Sequence, residues 1–599
     1  MIDPRTHLAQ KPLLFDGAMG TYYRAKPGQE PEQANLTDPE GVLAVHRAYL
    51  AAGADAIKAN TFGLPRMAAA QQPGWEALLD AGWSLAVQAA GETGAAVFAD
   101  LGPAPDTETA PAADCYTAAA LRFAGLGAKN FLFETLSSDA GILDAVRAVK
   151  NAVPEAFVLV SFAVLPDGYT REGLYCRDLV RRMADSGLVD AVGLNCVSAP
   201  GAMRALVRQL GTAGLPLAVM PNAGYPVVAR TQVRYQGKPE YFAGELARIA
   251  AENAGVRVLG GCCGTTPAHI AALRAELDAL PESKVPAPAA EFSTAARPAV
   301  EKEDAFLHKL NAGQKVIAVE LDSPKDADLT AYLDGARRLQ AAGADLLTIA
   351  DCPIARARMD SSLVACRVHR ELGLSVLPHM TCRDRNLNAT KALLLGLYAE
   401  GVREVLAITG DPIPTAERDE VKNVYQFNSR KLAQYIVSLA GEGREMPAPL
   451  TVFGALNLNA RNFDVELRRA GEKLDNGMSG FLTQPVLSAR ALENLHRTRE
   501  AFGSRAKLLA GILPVVSQRN AIFMENEVNG IHVDAEIIRR FAGLDRAAGE
   551  ELGLEISLQA AKAALPYADG FYLMTPFNRV ALMERLIARL NTEILREGE

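Results

Sequence analysis

Short, nearly continuous apolar runs alternate with amphipathic stretches along most of the 599-residue chain. In the first half the runs are LLFDG (13–17), ADAIKAN (54–60), AAVFADLG (95–102), KNFLFETL (129–136), FVLVSFAV (157–164), VDAVGLNC (189–196), PLAVMPNAG (216–224) and VRVLGGCCG (256–264). Strands that are apolar on both faces belong in a parallel sheet covered by helices. Eight such units predict a closed (β/α)8 barrel of the TIM type. The second half repeats the count with VIAVELD (316–322), DLLTIAD (345–351), SVLPHMTC (375–382), EVLAITGDP (404–412), TVFGALN (451–457), GFLTQPV (480–486), KLLAGILPV (507–515) and GFYLMTP (570–576). The tract AAGAD leads into the second strand of each half, at 51–55 and 341–345. A doubly wound open sheet is the rival fold. The even count of eight and the lack of a G-x-G-x-x-G loop favour two α/β barrels.

Between the halves, PESKVPAPAAEFSTAARPAVEKED (281–304) is rich in Pro, Ala, Ser and charge and carries no helical stripe. It reads as a linker, giving domains at 1–280 and 305–599. With 49% hydrophobic and 22% charged residues, each half can bury a core of its own. A net charge of −8 argues against nucleic acid and anionic membranes as partners, because phosphate surfaces require a basic patch. The N-terminal stretch MIDPRTHLAQKPLLF has no secretory pattern, and no apolar run reaches the length of a membrane span. Eight cysteines, at 115, 176, 196, 262, 263, 352, 366 and 382, are too sparse for a disulfide framework, so the expected compartment is the reducing cytoplasm.

Barrel enzymes gather their reactive groups at the C-terminal strand ends. Asp16, Asn60, Asp100, Glu134, Cys196, Asn222, Cys262 and Cys263 occupy those places in the first half. Cys196 closes the sixth strand; Cys262 and Cys263 close the eighth, a near neighbour around the rim, so three sulfurs can converge. An isolated cysteine is commonly an inert core residue. Three at two strand ends, with Gly260, Gly261 and Gly264 allowing close backbone approach, meet the ligand count of an open zinc site. Three thiolates suit zinc, and the vacant fourth position would hold a substrate thiol as a nucleophilic thiolate.

DGAMGT (16–21), NTFG (60–63), FETL (133–136), GLNC (193–196) and GGCCGTTP (260–267) together resemble the homocysteine S-methyltransferase family over about residues 10–280. The resemblance implies that Cys196, Cys262 and Cys263 hold zinc and that Asp16 and Glu134 bind the homocysteine ammonium. It leaves the methyl donor open between a sulfonium compound and methyltetrahydrofolate. No cobalamin-type Asp-x-His-x-x-Gly loop is present, so folate-dependent transfer would call for a corrinoid protein in trans.

The second half presents Glu320, Thr348, Asp351, His379, Thr381, Asp411, Asn457 and Gln484 at its strand ends. Taken singly, a buried histidine or glutamine is an ordinary hydrogen-bonded core residue. As a set, VELDSP (319–324), PHMTCRDRN (378–386), ITGDP (408–412), TQP (483–485), GILPV (511–515) and FYLMTPFN (571–578) resemble the methylenetetrahydrofolate reductase family over about residues 310–595. That resemblance implies FAD across the barrel mouth and hydride transfer to methylenetetrahydrofolate. Glu320 is implied as general acid, Asp411 as the group that binds the pterin and tunes the flavin, and Gln484 as a further pterin ligand. Thr348, His379, Thr381, Gly410, Asn457 and Lys473 are implied to line the FAD, with Lys473 reaching its diphosphate. NAD(P)H, another reductant or a redox protein in trans all remain open as the electron source, and a homo-oligomer is equally open. Two other readings compete with a bifunctional enzyme of methionine and one-carbon metabolism: a methyltransferase for a different thiol or selenol fused to the reductase, and a non-catalytic one-carbon sensor or scaffold.

Overall fold

The computed structural model describes residues 1–23, 29–107, 110–210, 214–229, 232–235, 237–280, 304–413, 422–441, 444–528 and 530–595. The chain divides into two compact units, Met1–Ser293 and Thr294–Glu599. Of the expected linker at 281–304, all but Asp304 lies outside the described residues.

In the first unit the parallel strands are β1 (Leu13–Leu14), β2 (Ala56–Lys58), β3 (Ala96–Leu101), β4 (Asn130–Leu136), β5 (Phe157–Phe162), β6 (Ala191–Asn195), β7 (Leu217–Met220) and β10 (Val256–Leu259). They pair in chain order, with β10 returning to β1. The ring closes between β1 and β2 through a parallel bridge from Phe15 to Ala56, with Asp16 N–H donating to the Ala56 carbonyl (3.0 Å) and Asp55 N–H to that of Leu14 (2.7 Å). A short antiparallel hairpin, β8 (Pro226–Ala229) and β9 (Gln232–Tyr235), interrupts the connection from β7 to β10 and was not foreseen from the pattern.

The second unit is a closed parallel barrel of β11 (Val316–Glu320), β12 (Leu346–Ile349), β13 (Ser375–Thr381), β14 (Glu404–Ile408), β15 (Thr451–Leu456), β16 (Met478–Pro485), β17 (Lys507–Ile512) and β18 (Gly570–Met574). All sixteen predicted apolar runs therefore contain a barrel strand. The two TIM-type barrels of the sequence expectation are the observed fold.

Alternation along each strand splits the apolar residues into two layers. One layer fills the first barrel, with Phe15, Phe98, Phe157 and Met220 at its heart; the other packs strands against helices. Each barrel floor receives a preceding short helix. Leu8 of helix Pro4–Gln10 joins the first interior, and Phe306, Leu307 and Leu310 of helix Ala305–Asn311 join the second. Asp304 starts that second helix by accepting a hydrogen bond from Leu307 N–H (3.0 Å), as an N-cap should. Among the described residues no helix is long and apolar enough to cross a membrane.

His46, on helix Pro39–Ala51, is fully buried, with neither ring nitrogen hydrogen-bonded. Burial pushes its pKa down to about 4. The folded chain therefore keeps a neutral ring while the unfolded chain takes up a proton near pH 6.5, and stability is lost as pH falls from there toward 4. His46→Leu is expected to remove on the order of 2 kcal/mol of the stability difference between pH 7 and pH 5. Urea unfolding of the full chain and variant at both pH values checks this.

Candidate active sites of the two barrels

The first barrel brings Cys196, Cys262 and Cys263 together at its C-terminal mouth, with all three sulfurs within 4.8 Å of one another. Cys196 Sγ and Cys263 Sγ are 3.8 Å apart. Backbone bonds hold the loops that carry them: Cys196 N–H to Met220 O (3.1 Å), Cys262 N–H to Pro221 O (2.9 Å) and Ala223 N–H to Cys263 O (2.9 Å). Pro267 opens the next helix behind a reciprocal Thr266–His269 cap, which ends the cysteine turn sharply. Gly264 adopts φ +80°, and a Cβ there would lie 2.2 Å from the Tyr235 ring. At Gly261 a Cβ would collide with Thr265 Oγ1 at 2.5 Å, so only glycine lets that hydroxyl bond Cys262 O (2.6 Å) and Ala18 N–H (3.0 Å).

Cys196 and Val197 both sit in the left-handed region, at φ +57° and +52°, as does Thr135 at +60°. Such conformations cost non-glycine residues about 1–3 kcal/mol each and persist where neighbours enforce them. At Thr135 the enforcing side chain is Asn195. Its Oδ1 accepts from Thr135 N–H (2.9 Å), and its Nδ2 donates to Thr135 Oγ1 (2.8 Å) and Glu134 Oε2 (3.1 Å). The three thiols also perturb one another. Hydrogen bonds from Cys196 and Cys262 pull the Cys263 thiol down, and the same sulfur contacts push Cys262 well up.

Beside the sulfurs lies a buried cluster of charge. Asp16 and Glu134, implied as ligands of the homocysteine ammonium, both enter it, and Lys58 lies between them. Lys58 Nζ lies 3.6 Å from Glu134 Oε2, 4.0 Å from Asp16 Oδ1 and 3.4 Å from Gly261 O. Burial raises Asp16 to about 7, opposed by Lys58, and also raises Glu134. Asp100 is pushed well up by burial and then by Glu134. Lys58 is driven down by burial, yet the neighbouring Glu134 and Asp16 carboxylates outweigh this and hold its pKa above the ordinary lysine value. Asp16 Oδ1, Asp100 Oδ1 and Asn222 Oδ1 are buried without a hydrogen-bond partner. Sequence reasoning missed Lys58 and Asn195. The signal for Lys58 was a lone lysine inside the apolar run ADAIKAN; Asn195 was hidden within GLNC.

In the second barrel Glu320 ends β11 and receives a hydrogen bond from the Tyr572 hydroxyl on β18. Burial raises its pKa to about 7, with the Tyr572 bond opposing. His379 Nε2 is 3.9 Å from Glu320 Oε2 and has no hydrogen bond; burial takes that ring down to about 4, so it is neutral at pH 7. Thr381 is fixed by Asp351, whose Oδ2 accepts from its N–H (3.1 Å) and hydroxyl (3.0 Å) and from Arg385 (2.9 Å). Thr575 Oγ1 is buried without a hydrogen-bond partner, and the buried Thr348 hydroxyl lies against Tyr572. Gly410, at φ +89°, passes over Thr381, and Asp411 is exposed just beyond it, its carbonyl accepting from Arg383 (3.1 Å). Asn457 and Gln484 flank Gly530, whose absent Cβ would lie 3.4 and 3.5 Å from them. Lys473, implied as a diphosphate ligand, lies on helix Phe463–Asp475. Its ammonium donates to the Ala455 carbonyl (2.7 Å) within the barrel wall, and burial lowers its pKa.

Two parallel eight-stranded barrels, with a trithiol cluster at one mouth and a buried acid at the other, define a two-domain barrel enzyme. Residues 13–277 match the family model of homocysteine S-methyltransferase and residues 306–591 that of methylenetetrahydrofolate reductase. The chain is thus a fusion of a homocysteine S-methyltransferase domain with a methylenetetrahydrofolate reductase domain. It is 31% identical over 291 residues to a methionine synthase of Mycobacterium tuberculosis, covering 44% of this chain and 24% of that protein. It is 36% identical over 151 residues to the homocysteine S-methyltransferase of Escherichia coli, covering 25% and 48%. Its likeness to the 5,10-methylenetetrahydrofolate reductase of Escherichia coli is 22% over 173 residues, covering 29% and 55%. The chain therefore spans about a quarter of the methionine synthases it matches and about half of the two shorter relatives.

Proposed function

We propose that the first barrel methylates the sulfur of homocysteine to give methionine, and that the second reduces 5,10-methylenetetrahydrofolate to 5-methyltetrahydrofolate, both in the cytoplasm. The observation that carries the first half is the sulfur geometry. Tetrahedral zinc with bonds of about 2.3 Å sets its thiolate sulfurs about 3.8 Å apart. Cys196 and Cys263 stand at 3.8 Å, and Cys262 completes the group. These three residues would hold the ion. Bound zinc supplies the Lewis acidity that keeps an incoming thiol ionised at neutral pH.

The chain's own residues do the rest. Asn195 pins the left-handed Thr135 and the Glu134 carboxylate beside the sulfurs. Three buried carboxylates face one lysine, and Asp16 and Glu134, with the Asp100 oxygen that accepts no hydrogen bond, would receive the substrate ammonium. Lys58 offsets part of the negative charge of the unfilled cluster. Lys58→Met is expected to cost on the order of 3–5 kcal/mol of stability, since removing one member of a buried ion pair strands the other. Urea unfolding tests this, and adding Glu134→Gln should restore part of the loss.

In the second barrel the donor set fits a flavin. Thr348, His379 and Thr381 carry polar atoms at the mouth, His379 Nε2 among them without a hydrogen bond, and Gly410 and Gly530 bring the backbone close to Thr381 and to Asn457 and Gln484. These residues with Asn457 would hold FAD, which supplies two-electron reduction. Glu320 holds the proton that opening of the folate ring requires, and its pKa near 7 keeps the acid form available at neutral pH. Gln484 offers both a donor and an acceptor to the pterin, and Asp411 offers it an acceptor.

Incubating the pure protein with homocysteine and, separately, a sulfonium donor or methyltetrahydrofolate, with methionine measured, tests the first activity. Methylation of another thiol or a selenol in preference to homocysteine would change the substrate. Tight ligand binding without product would indicate a sensor. Supplying NADH, NADPH or a reduced carrier protein to the flavin-loaded protein identifies the electron source.

A further inference from the structure

We propose that Tyr572 is a positioning residue that decides which oxygen of Glu320 carries the acid proton; this rests on reading the second barrel as a methylenetetrahydrofolate reductase. Strands β11 and β18 pair with Ala318 opposite Tyr572 and Glu320 opposite Met574. Ala318 and Tyr572 both lie in the interior cluster, and the two-residue period puts Glu320 on the same inner face, one step nearer the mouth. The phenol is thus buried beneath the carboxyl and donates its proton to Oε2. The same Oε2 is the oxygen nearest His379 Nε2, at 3.9 Å. Among the described residues no hydrogen bond reaches Oε1, and the Glu320 side chain keeps 22% exposure. An oxygen that already accepts a phenol proton is the poorer seat for the carboxyl hydrogen, which therefore resides on Oε1, the oxygen open to a ligand.

The consequence is a division of labour across one carboxyl group. As the bond from the bridging carbon to N10 of the substrate breaks, the Oε1 proton moves to N10, leaving a substrate iminium cation and the Glu320 carboxylate. Tyr572 holds the negative charge that appears on Oε2. The hydrogen bond is stronger to the carboxylate than to the acid, so it favours proton release. The other groups around Glu320 do not substitute for it. His379 is neutral, Tyr332 on helix Thr330–Ala342 donates to Leu321 O (3.1 Å), and Asp322 is paired with Arg358 at 3.2 Å. Asp322 and burial both oppose ionisation of Glu320, which leaves Tyr572 as the neighbour that promotes it.

The test uses the flavin-loaded full chain, reduced with dithionite without oxygen and mixed with methylenetetrahydrofolate between pH 5.5 and 9. Flavin reoxidation is followed by absorbance. Tyr572→Phe should slow reoxidation at neutral pH about 10–100-fold, the range for a lost hydrogen bond to a charged group. It should also move the pH limb of Glu320 to higher pH and leave methyltetrahydrofolate binding unchanged. Incorporation of 3-fluorotyrosine at 572, a stronger donor, should move that limb the opposite way, and this keeps the question answerable if the phenylalanine variant loses flavin. Wild-type limbs in both variants, or a shift in the same direction in both, would overturn the role of Tyr572. Failure of the substrate to reoxidise the wild-type flavin at any pH would instead overturn the reductase reading, and the proposal with it.

Discussion

Cys262→Ala is expected to release zinc from the first barrel and to reduce methionine formation beyond detection. Changes behind a metal ligand typically cost about 10–100-fold in affinity or activity, and removing one of only three protein ligands costs more. Cys262 is the most enclosed of the three, at 7% exposure, so water does not readily replace its sulfur. Its backbone is held by Pro221 O and its carbonyl by Thr265 Oγ1, so the substitution removes the ligand without releasing the loop. Metal content of the purified variant and methionine production from homocysteine check the two halves of the expectation. Flavin-dependent chemistry in the second barrel should be untouched, which makes it an internal control for folding. Retention of full zinc by the variant would refute the ligand assignment.

Glu320→Gln is expected to lower folate reduction by about 10²–10⁴-fold, the usual contribution of a positioned general acid. The amide keeps the shape and can still accept from Tyr572, so flavin binding and flavin reduction should survive. The wild-type reaction should also fall as pH rises through about 7, because burial lifts the Glu320 carboxyl to that value and only its protonated form can donate. The sign is fixed by the direction of the shift: an acid with a raised pKa is loaded below it and spent above it. Rates of flavin reoxidation by methylenetetrahydrofolate against pH, for both proteins, test this. A glutamine variant that keeps the wild-type limb near pH 7 would show that another group supplies the proton.

The barrels were legible because the signals that specify them are local. An apolar run followed by an amphipathic stretch states its secondary structure within about twenty residues, and it recurs eight times in each half. The cysteines and carboxylates were legible for a related reason, since a polar group at the C-terminal end of an otherwise apolar strand stands out in any window. The β8–β9 hairpin was not, because it sits in a connection where no periodicity is required of the chain. The floor helices were also missed. Pro4–Gln10 and Ala305–Asn311 have only seven residues each, too few to show a stripe.

Lys58 shows where local reading stops. In ADAIKAN it reads as a polar break in a strand, and nothing nearby says that Asp16 and Glu134 will flank it. Asn195 is similar: its value lies in bridging to Thr135, 60 residues away, whose left-handed backbone no sequence window discloses.

The order of residues along the chain by itself determined that there are two barrels and which chemical groups stand at their mouths, because strand period and strand ends are properties of neighbouring residues. Only the tertiary structure decided which of those groups touch. Glu320 and Tyr572 are 252 residues apart and meet only because the last strand of a barrel closes against the first. Closure and register are set by the packing of the whole ring, and they select partners that composition and spacing leave undetermined.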